Sequence, residues 1–292
     1  MSDRAPQVTG IFDPATSSIS YVVADPASGC AALIDPVLDF DPKSGRTSTT
    51  TADRLLAAAQ DRRIEWVLET HAHADHLTAA AYLKAKLGCK TGTGAHVATV
   101  QSTWKKIFNL EPEFRTDGSQ FDRLFAEGDR FALGGLDVTV WHTPGHTPGC
   151  VTYIVRGGEG PVCAFIGDTM FMPDYGTARA DFPGGDARVL FRSIRRILSL
   201  PPDTRLFVAH DYQPGGRAVA FETTVGDQRR GNLHVKDGTS EDAFVAFRSE
   251  RDKTLGQPTL LLPSIQVNIR AGVLPPPEAN GTSYLKLPLN RL

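Results

Sequence analysis

The sequence predicts a layered α/β fold, with mixed sheets inside and helices outside. Three observations point to it. Short apolar β-type runs recur through most of the chain, divided by helical patterns and turn residues. Four times such a run ends and a polar, metal-competent residue follows closely: His71, His146, Asp168 and His210. Their separations of 75, 22 and 42 residues require a fold that gathers several strand ends at one edge.

Taken in order, residues 20–24 and 30–34 are β-type runs either side of Asp25-Pro26-Ala27-Ser28-Gly29, whose turn chemistry predicts a hairpin. Residues 39–51 are polar, with Pro42, Gly45 and several Ser and Thr, and predict a loop. A helix is expected from 51 or 52 to about 61, with Leu55, Leu56 and Ala59 on one face and the threonine run as N-cap. Residues 64–69 predict a strand and 78–87 a helix, closed by Gly88 at its C′ position. Between them lies His71-Ala72-His73-Ala74-Asp75-His76, four metal-competent side chains within six residues. The stretch 91–127 is irregular by pattern, with one helical candidate at 96–108. Paired strands are expected at 131–133 and 136–141, the second alternating Leu136, Val138 and Val140 with Asp137 and Thr139. It leads into His142-Thr143-Pro144-Gly145-His146-Thr147-Pro148-Gly149-Cys150. Further strands are expected at 151–155, 162–166 and 205–209, the last two delivering Asp168 and His210. Residues 186–200 form an amphipathic helix, with Val189, Leu190, Ile194, Ile197 and Leu198 on one face and Arg188, Arg192, Arg195 and Arg196 on a solvated one. A helix is expected at 241–255. From Gly256 the Pro- and Gly-rich chain predicts an extended tail packed on the body. The expected organisation is one catalytic domain over 1–235, with 236–292 as a C-terminal helix and tail on the same domain.

Length and composition bound the function. The 292 residues suffice for a substantial core. A net charge of −2 gives no overall basic field for nucleic acid or anionic lipid, and neither partner is expected. No segment approaches the ~18 apolar residues needed to cross a bilayer, and the first residues lack a secretory apolar core. The expected location is therefore the cytoplasm. Cys30, Cys89, Cys150 and Cys163 show neither CxxC pairing nor disulfide spacing. Cys150 lies four residues past His146, near the candidate site, but the commoner role is a buried, inert thiol.

Imidazole and carboxylate suit zinc and ferrous iron. Spacing alone leaves the ion count open.

The set formed by the histidine loop, Gly145-His146-Thr147, Gly167-Asp168 and His210 resembles the metallo-β-lactamase superfamily. That resemblance implies an αββα sandwich, two mixed sheets flanked by helices, with metal at one edge. It also implies, as one alternative, a dinuclear hydrolase site with His71, His73 and His146 on one ion and Asp75, His76 and His210 on the other, bridged by Asp168, whose bridging hydroxide would attack a thioester or lactam carbonyl. Four further stretches narrow it: Thr177-Ala178-Arg179-Ala180-Asp181-Phe182-Pro183-Gly184-Gly185-Asp186, His210-Asp211-Tyr212, Thr223-Thr224-Val225-Gly226-Asp227-Gln228-Arg229, and Val267-Asn268-Ile269-Arg270-Ala271-Gly272. These are similar to the persulfide dioxygenases of the ethylmalonic-encephalopathy-protein type, especially the bacterial branch. The resemblance implies oxidation of glutathione persulfide with O₂ to sulfite and glutathione. It implies one Fe(II) per chain, held by His71, His146 and Asp168, with His73, Asp75, His76 and His210 orienting ligands or holding water. Two imidazoles and a carboxylate leave coordination positions for both O₂ and a sulfur anion, and redox-silent zinc could not pass electrons to O₂.

Arg179, Tyr212 and Arg229 match the family's glutathione contacts, and Thr147 adds a hydroxyl beside His146. Arginine suits this role because its planar fork pairs bidentately with carboxylates. Two alternatives stand beside the dioxygenase: a hydrolase of glutathione thioesters with two Zn(II) per chain, and a non-catalytic persulfide-binding sensor. The tail beyond Pro258 is a candidate homodimer surface.

Overall fold

A computed structural model describes residues 5–291. The first half runs β1 (Gln7–Asp13), β2 (Ser18–Ala24), β3 (Cys30–Ile34), β4 (Val37–Asp41), β5 (Arg46–Ser48), α1 (Thr50–Ala59), β6 (Arg63–Leu68), β7 (Leu77–Thr78), α2 (Ala80–Leu87), β8 (Lys90–Gly94), α3 (Val97–Phe108) and β9 (Arg123–Phe125). The second runs β10 (Arg130–Leu133), β11 (Leu136–His142), β12 (Val151–Arg156), β13 (Cys163–Phe165), α4 (Ala187–Ile197), β14 (Arg205–Phe207), β15 (Glu222–Thr224), α5 (Val225–Gly231), α6 (Glu241–Asp252) and α7 (Leu261–Asn268). No helix among the described residues is long and apolar enough to cross a membrane.

Two mixed sheets form the body, ordered β1-β2-β3-β6-β8-β9 and β10-β11-β12-β13-β14-β15. In the first, β1 to β3 pair antiparallel and β3, β6, β8 and β9 run parallel. In the second, only β13 and β14 are parallel. Strand periodicity explains the layering. Ile19, Tyr21 and Val23 of β2 face the layer shared with Val151, Tyr153 and Val155 of β12. The alternate residues Val22 and Ala24 turn outward onto α1 and α2, and Ile154 turns outward towards α4. The expected sandwich of two mixed sheets between helices is the fold observed.

The α4 helix follows its sequence pattern. Asp186 caps it by accepting from the amides of Arg188 and Val189, and Leu190, Ile194 and Ile197 are fully buried. Its arginines meet acids on neighbouring segments: Arg188 and Arg192 on Glu241, Arg195 on Asp237 and Arg196 on Glu127.

Three regions differ from expectation. The polar stretch 39–51 contains the β4–β5 hairpin. Its tip is held by Asp41, which accepts from the Lys43 amide and the Ser44 hydroxyl, so side-chain-to-backbone bonding replaces apolar patterning. The hairpin is fixed to the body by β4–β7 pairing and by Asp39, which accepts from the Thr51 amide and hydroxyl. The irregular region holds two short strands, β8 and β9, beside the expected helix. The tail is not wholly extended, because α7 occupies its first part. Pro263 lies in the first turn of α7, where an amide has no helical acceptor to lose, so it does not break the helix. From α7, Leu261 and Ile265 pack with Trp104, Phe108 and Phe114 and against Ala72 and Ala74 of the histidine loop.

Candidate metal centre

The strand ends meet at one edge. The loop after β6 carries His71 to His76, the loop after β11 carries His146, a 3-10 turn after β13 carries Asp168, and His210 follows β14. The local fold fixes these positions. Gly145 sits at φ +131, and a Cβ there would lie 2.2 Å from the Leu190 backbone. Only glycine lets the loop carrying His146 approach α4 this closely.

His71, His146 and Asp168 bring ligand-type atoms within 4.8 Å of one another. His71 Nε2 lies 3.8 Å and His146 Nε2 3.6 Å from Asp168 Oδ2, too far for hydrogen bonds. The remaining ring nitrogens set the tautomers. His146 Nδ1 lies 2.8 Å from the Arg179 carbonyl, which can only accept, so Nδ1 carries the proton and Nε2 the lone pair. His71 Nδ1 lies 3.0 Å from the Thr70 hydroxyl, which donates to Asp35 Oδ2 at 2.8 Å. That direction leaves the Thr70 oxygen to accept from His71, again freeing Nε2. Burial, aided by His73 and His146, holds the His71 pKa well below the usual imidazole range, so its lone pair is available at neutral pH. His71 Nε2 and Asp168 Oδ1 are buried without hydrogen-bond partners, and orphaned polar atoms of this kind call for an occupant. The donor set fits a divalent metal ion.

The other four donors lie against that set: the His73 ring is 4.0 Å from His71, and His210 Nε2 is 3.5 Å from Asp168 Oδ1. Asp75 Oδ2 takes the Ser18 hydroxyl at 3.0 Å, His76 Nδ1 at 3.2 Å and His210 Nε2 at 3.3 Å. Burial opposes charge on His210, but Asp75 and Asp168 outweigh it and raise its pKa to about 9. His73 Nε2 lies 3.0 Å from Asp35 and 3.5 Å from Glu69. Burial again opposes charge there, yet these carboxylates raise the His73 pKa well above its ordinary value.

Above this edge opens a cavity of about 1130 Å³, whose wall includes His146, Asp168, Arg179, Tyr212 and His234. The β4–β5 hairpin contributes Phe40 and Arg46 to one side, and the end of α6 contributes Arg248 and Arg251 to another. Tyr212 stacks on Tyr175 at 4.5 Å, and its ring lies nearly parallel to His210. Arg179 is already engaged: it forks onto Asp181 at 2.6 and 2.8 Å and donates to the Gly256 carbonyl. Arg229 is not among the lining residues and pairs with Asp237 on the surface. Thr147 also does not line the cavity; its hydroxyl contacts Cys150 Sγ at 3.0 Å. Cys150 is buried, which pushes its pKa up to about 12.

The profile of the metallo-beta-lactamase superfamily matches residues 14–210, a span that contains this whole edge. The chain belongs to the metallo-beta-lactamase superfamily. A protein named "probable metallo-hydrolase" from Burkholderia pseudomallei is 58% identical over 98% of this chain and 99% of its own length. A "beta-lactamase hydrolase-like protein" from Xylella fastidiosa is 54% identical over 99% of this chain, which spans 66% of that protein. Human mitochondrial persulfide dioxygenase ETHE1 is 30% identical over 91% of this chain and 89% of its own length. Among solved structures, ETHE1 from Myxococcus xanthus matches with a TM-score of 0.70 and 26% identity, covering 91% of this chain and 100% of that one.

Beneath the superfamily's metal edge lie supports that motif reading missed. Asp35 binds the Thr70 amide at 2.7 Å as well as its hydroxyl, and so braces the residue that orients His71. Its backbone sits at φ +50, which aspartate tolerates better than most residues. The signal was present, because Asp35 directly follows β3 just as the four metal-type residues follow their strands. Glu69 follows β6 in the same way. His234, which belongs to none of the motifs read in the sequence, also lines the cavity.

Proposed function

We propose that the protein is an iron-dependent persulfide dioxygenase that converts glutathione persulfide, O₂ and water to sulfite and glutathione. The observation that carries the reading is how the donors are engaged, with His210 Nε2 lying 3.5 Å from Asp168 Oδ1 between the two sets. His71, His146 and Asp168 converge as a two-histidine, one-carboxylate set, while the Asp75 carboxylate is engaged by Ser18, His76 and His210. A three-donor set leaves positions open for two reactants. The likeness to the human and Myxococcus proteins supports the same chemistry.

Iron held by His71, His146 and Asp168 would supply the electron transfer that joins persulfide sulfur to dioxygen. The protein's own groups do the rest. The Arg179 carbonyl and Thr70 hydroxyl keep both imidazoles in the ligand tautomer. Arg179, Tyr212 and Arg229 are proposed to hold the peptide portion, with Thr147 beside them. For Arg229 this requires its surface pairing with Asp237 to open. The four cysteines are free and buried, which suits a reducing cytoplasm.

A second reading, a dinuclear zinc hydrolase of glutathione thioesters, has an observation of its own. His73 Nδ1 and His76 Nε2 are buried without partners, and His73, Asp75 and His76 also gather within 4.8 Å. The Burkholderia relative's name points the same way. The decisive experiment loads the protein anaerobically with one equivalent of Fe(II) and follows O₂ uptake and sulfite release with glutathione persulfide. Uptake matched to sulfite supports the dioxygenase. No uptake, with hydrolysis of a glutathione thioester after loading two equivalents of Zn(II), replaces it. Persulfide binding without either turnover leaves a sensor.

A further inference from the structure

His234 lies on the loop after α5, and its ring forms part of the cavity wall shared with His146 and Asp168. Its Nδ1 accepts the Thr177 backbone N–H at 3.0 Å. An amide nitrogen only donates, so Nδ1 carries the lone pair and the ring proton sits on Nε2. That N–H has no hydrogen-bond partner among the described residues. Burial, reinforced by Arg248 and Arg251, pushes the pKa down to about 4, so the ring is neutral at pH 7.

The surroundings are built to hold this ring. Gly176 sits at φ +103, and a Cβ there would lie 2.2 Å from His234 Nδ1. Asn232 accepts from the His234 and Val235 amides at 2.8 and 3.1 Å and donates to the Gly176 carbonyl at 3.1 Å. Phe247 packs on the ring at 4.5 Å. The nearby cations are not equivalent. Arg248 is buried and paired with Asp252, and Arg179 is committed to Asp181. Arg251 makes no ion pair among the described residues; its guanidinium donates one hydrogen bond, to the Thr254 hydroxyl at 3.1 Å.

We propose that His234 Nε2–H, with the neighbouring Arg251 guanidinium, forms the subsite that grips the glycine carboxylate of the glutathione carrier. The identity of that carrier rests on the persulfide reading above. A locked neutral donor beside an unpaired guanidinium is pre-organised for a carboxylate, because neither group must break an ion pair to bind it.

Two substitutions separate binding from a structural role. His234→Asn keeps an oxygen where Nδ1 stood, so it retains the Thr177 contact and loses the outward donor. His234→Gln keeps a donor near the Nε2 position and loses the Thr177 contact. Titration calorimetry of reduced glutathione and its glycine monoethyl ester into the metal-loaded full chain reads the effect. Loss of one charge-assisted hydrogen bond corresponds to about tenfold or more in Kd. Wild type is expected to prefer glutathione to the ester by about tenfold. His234→Asn should weaken glutathione by about tenfold and erase that preference, and His234→Gln should recover to within about threefold of wild type. Unchanged affinity in His234→Asn overturns the subsite, and so does a wild type that ignores the ester. Glutathione binding that depends on His234 without O₂ uptake keeps the subsite and removes the dioxygenase.

Discussion

The Asn268 side-chain amide donates to the His76 carbonyl at 2.8 Å, across 192 residues of sequence. It also donates to the His73 carbonyl and accepts from the Thr78 amide, each at 2.8 Å. One buried side chain of α7 thus fixes the second half of the metal loop. Asn268→Asp turns both donors into acceptors facing carbonyls. The expected cost is about 2–4 kcal/mol in urea unfolding, with weaker metal binding in a competitive chelator titration. A loss under about 0.5 kcal/mol would show that α7 does not support the loop.

Asn268 also shows what was legible. The candidate metal residues announce themselves, because few functions other than ligation need four histidine and aspartate side chains in six positions. The layered fold follows from strand runs such as 151–155, whose apolar residues fill two faces. The Asn268 bond does not show, because nothing local to residues 267–272 says which loop they touch. The β4–β5 hairpin was hidden for another reason: Asp41, Ser44 and Asp39 stabilise it by polar contacts, which read as loop chemistry. No sequence motif points to His234, because its partners, Thr177 and Gly176, lie more than fifty residues earlier. Arg229, quoted from a motif, pairs with Asp237 outside the cavity wall, since a motif gives a position in sequence and no direction for its side chain.

The Arg248–Asp252 pair offers a second test. Both side chains are buried, and Asp252 also accepts the Ala180 amide at 2.9 Å while Arg248 donates to the Thr177 carbonyl at 3.2 Å. The pair therefore anchors the segment whose Arg179 carbonyl orients His146. Asp252→Ala strands a buried guanidinium and should cost about 3–5 kcal/mol. Combining it with Arg248→Met should cost at least about 1 kcal/mol less than the sum of the single changes, by denaturant unfolding of all four proteins. Simple additivity would mean the two residues act independently.

Cys150 should be inert in the native protein. Burial and a pKa pushed up to about 12 leave almost no thiolate at neutral pH. Iodoacetamide at pH 8 is expected to alkylate Cys150 only after unfolding, as read by peptide mass mapping. On the proposed persulfide chemistry, Cys150→Ala should keep turnover within about twofold, although the Thr147 hydroxyl loses its sulfur contact. Fast native alkylation, or a large loss of turnover, would give the thiol a part in sulfur transfer.

Acid should weaken the fold in a way that His234 makes visible. Its folded pKa is depressed from 6.5 to about 4 by burial and by Arg248 and Arg251. Between those values the unfolded chain binds a proton that the native ring refuses, so stability falls as pH drops from about 6.5 towards 4. Above pH 7 both states are neutral at this position, and the ring adds no slope. His234→Asn has nothing to titrate there, so wild type should lose more stability than the variant between pH 7 and pH 5. The ring is partly open to solvent, which damps the effect without changing its sign. Urea unfolding of both proteins at pH 7, 6 and 5 isolates the contribution, because the other titrating groups are common to the pair. A wild-type-minus-variant difference that stays constant over this range would mean that the native ring protonates freely and its neutral donor is not locked in place.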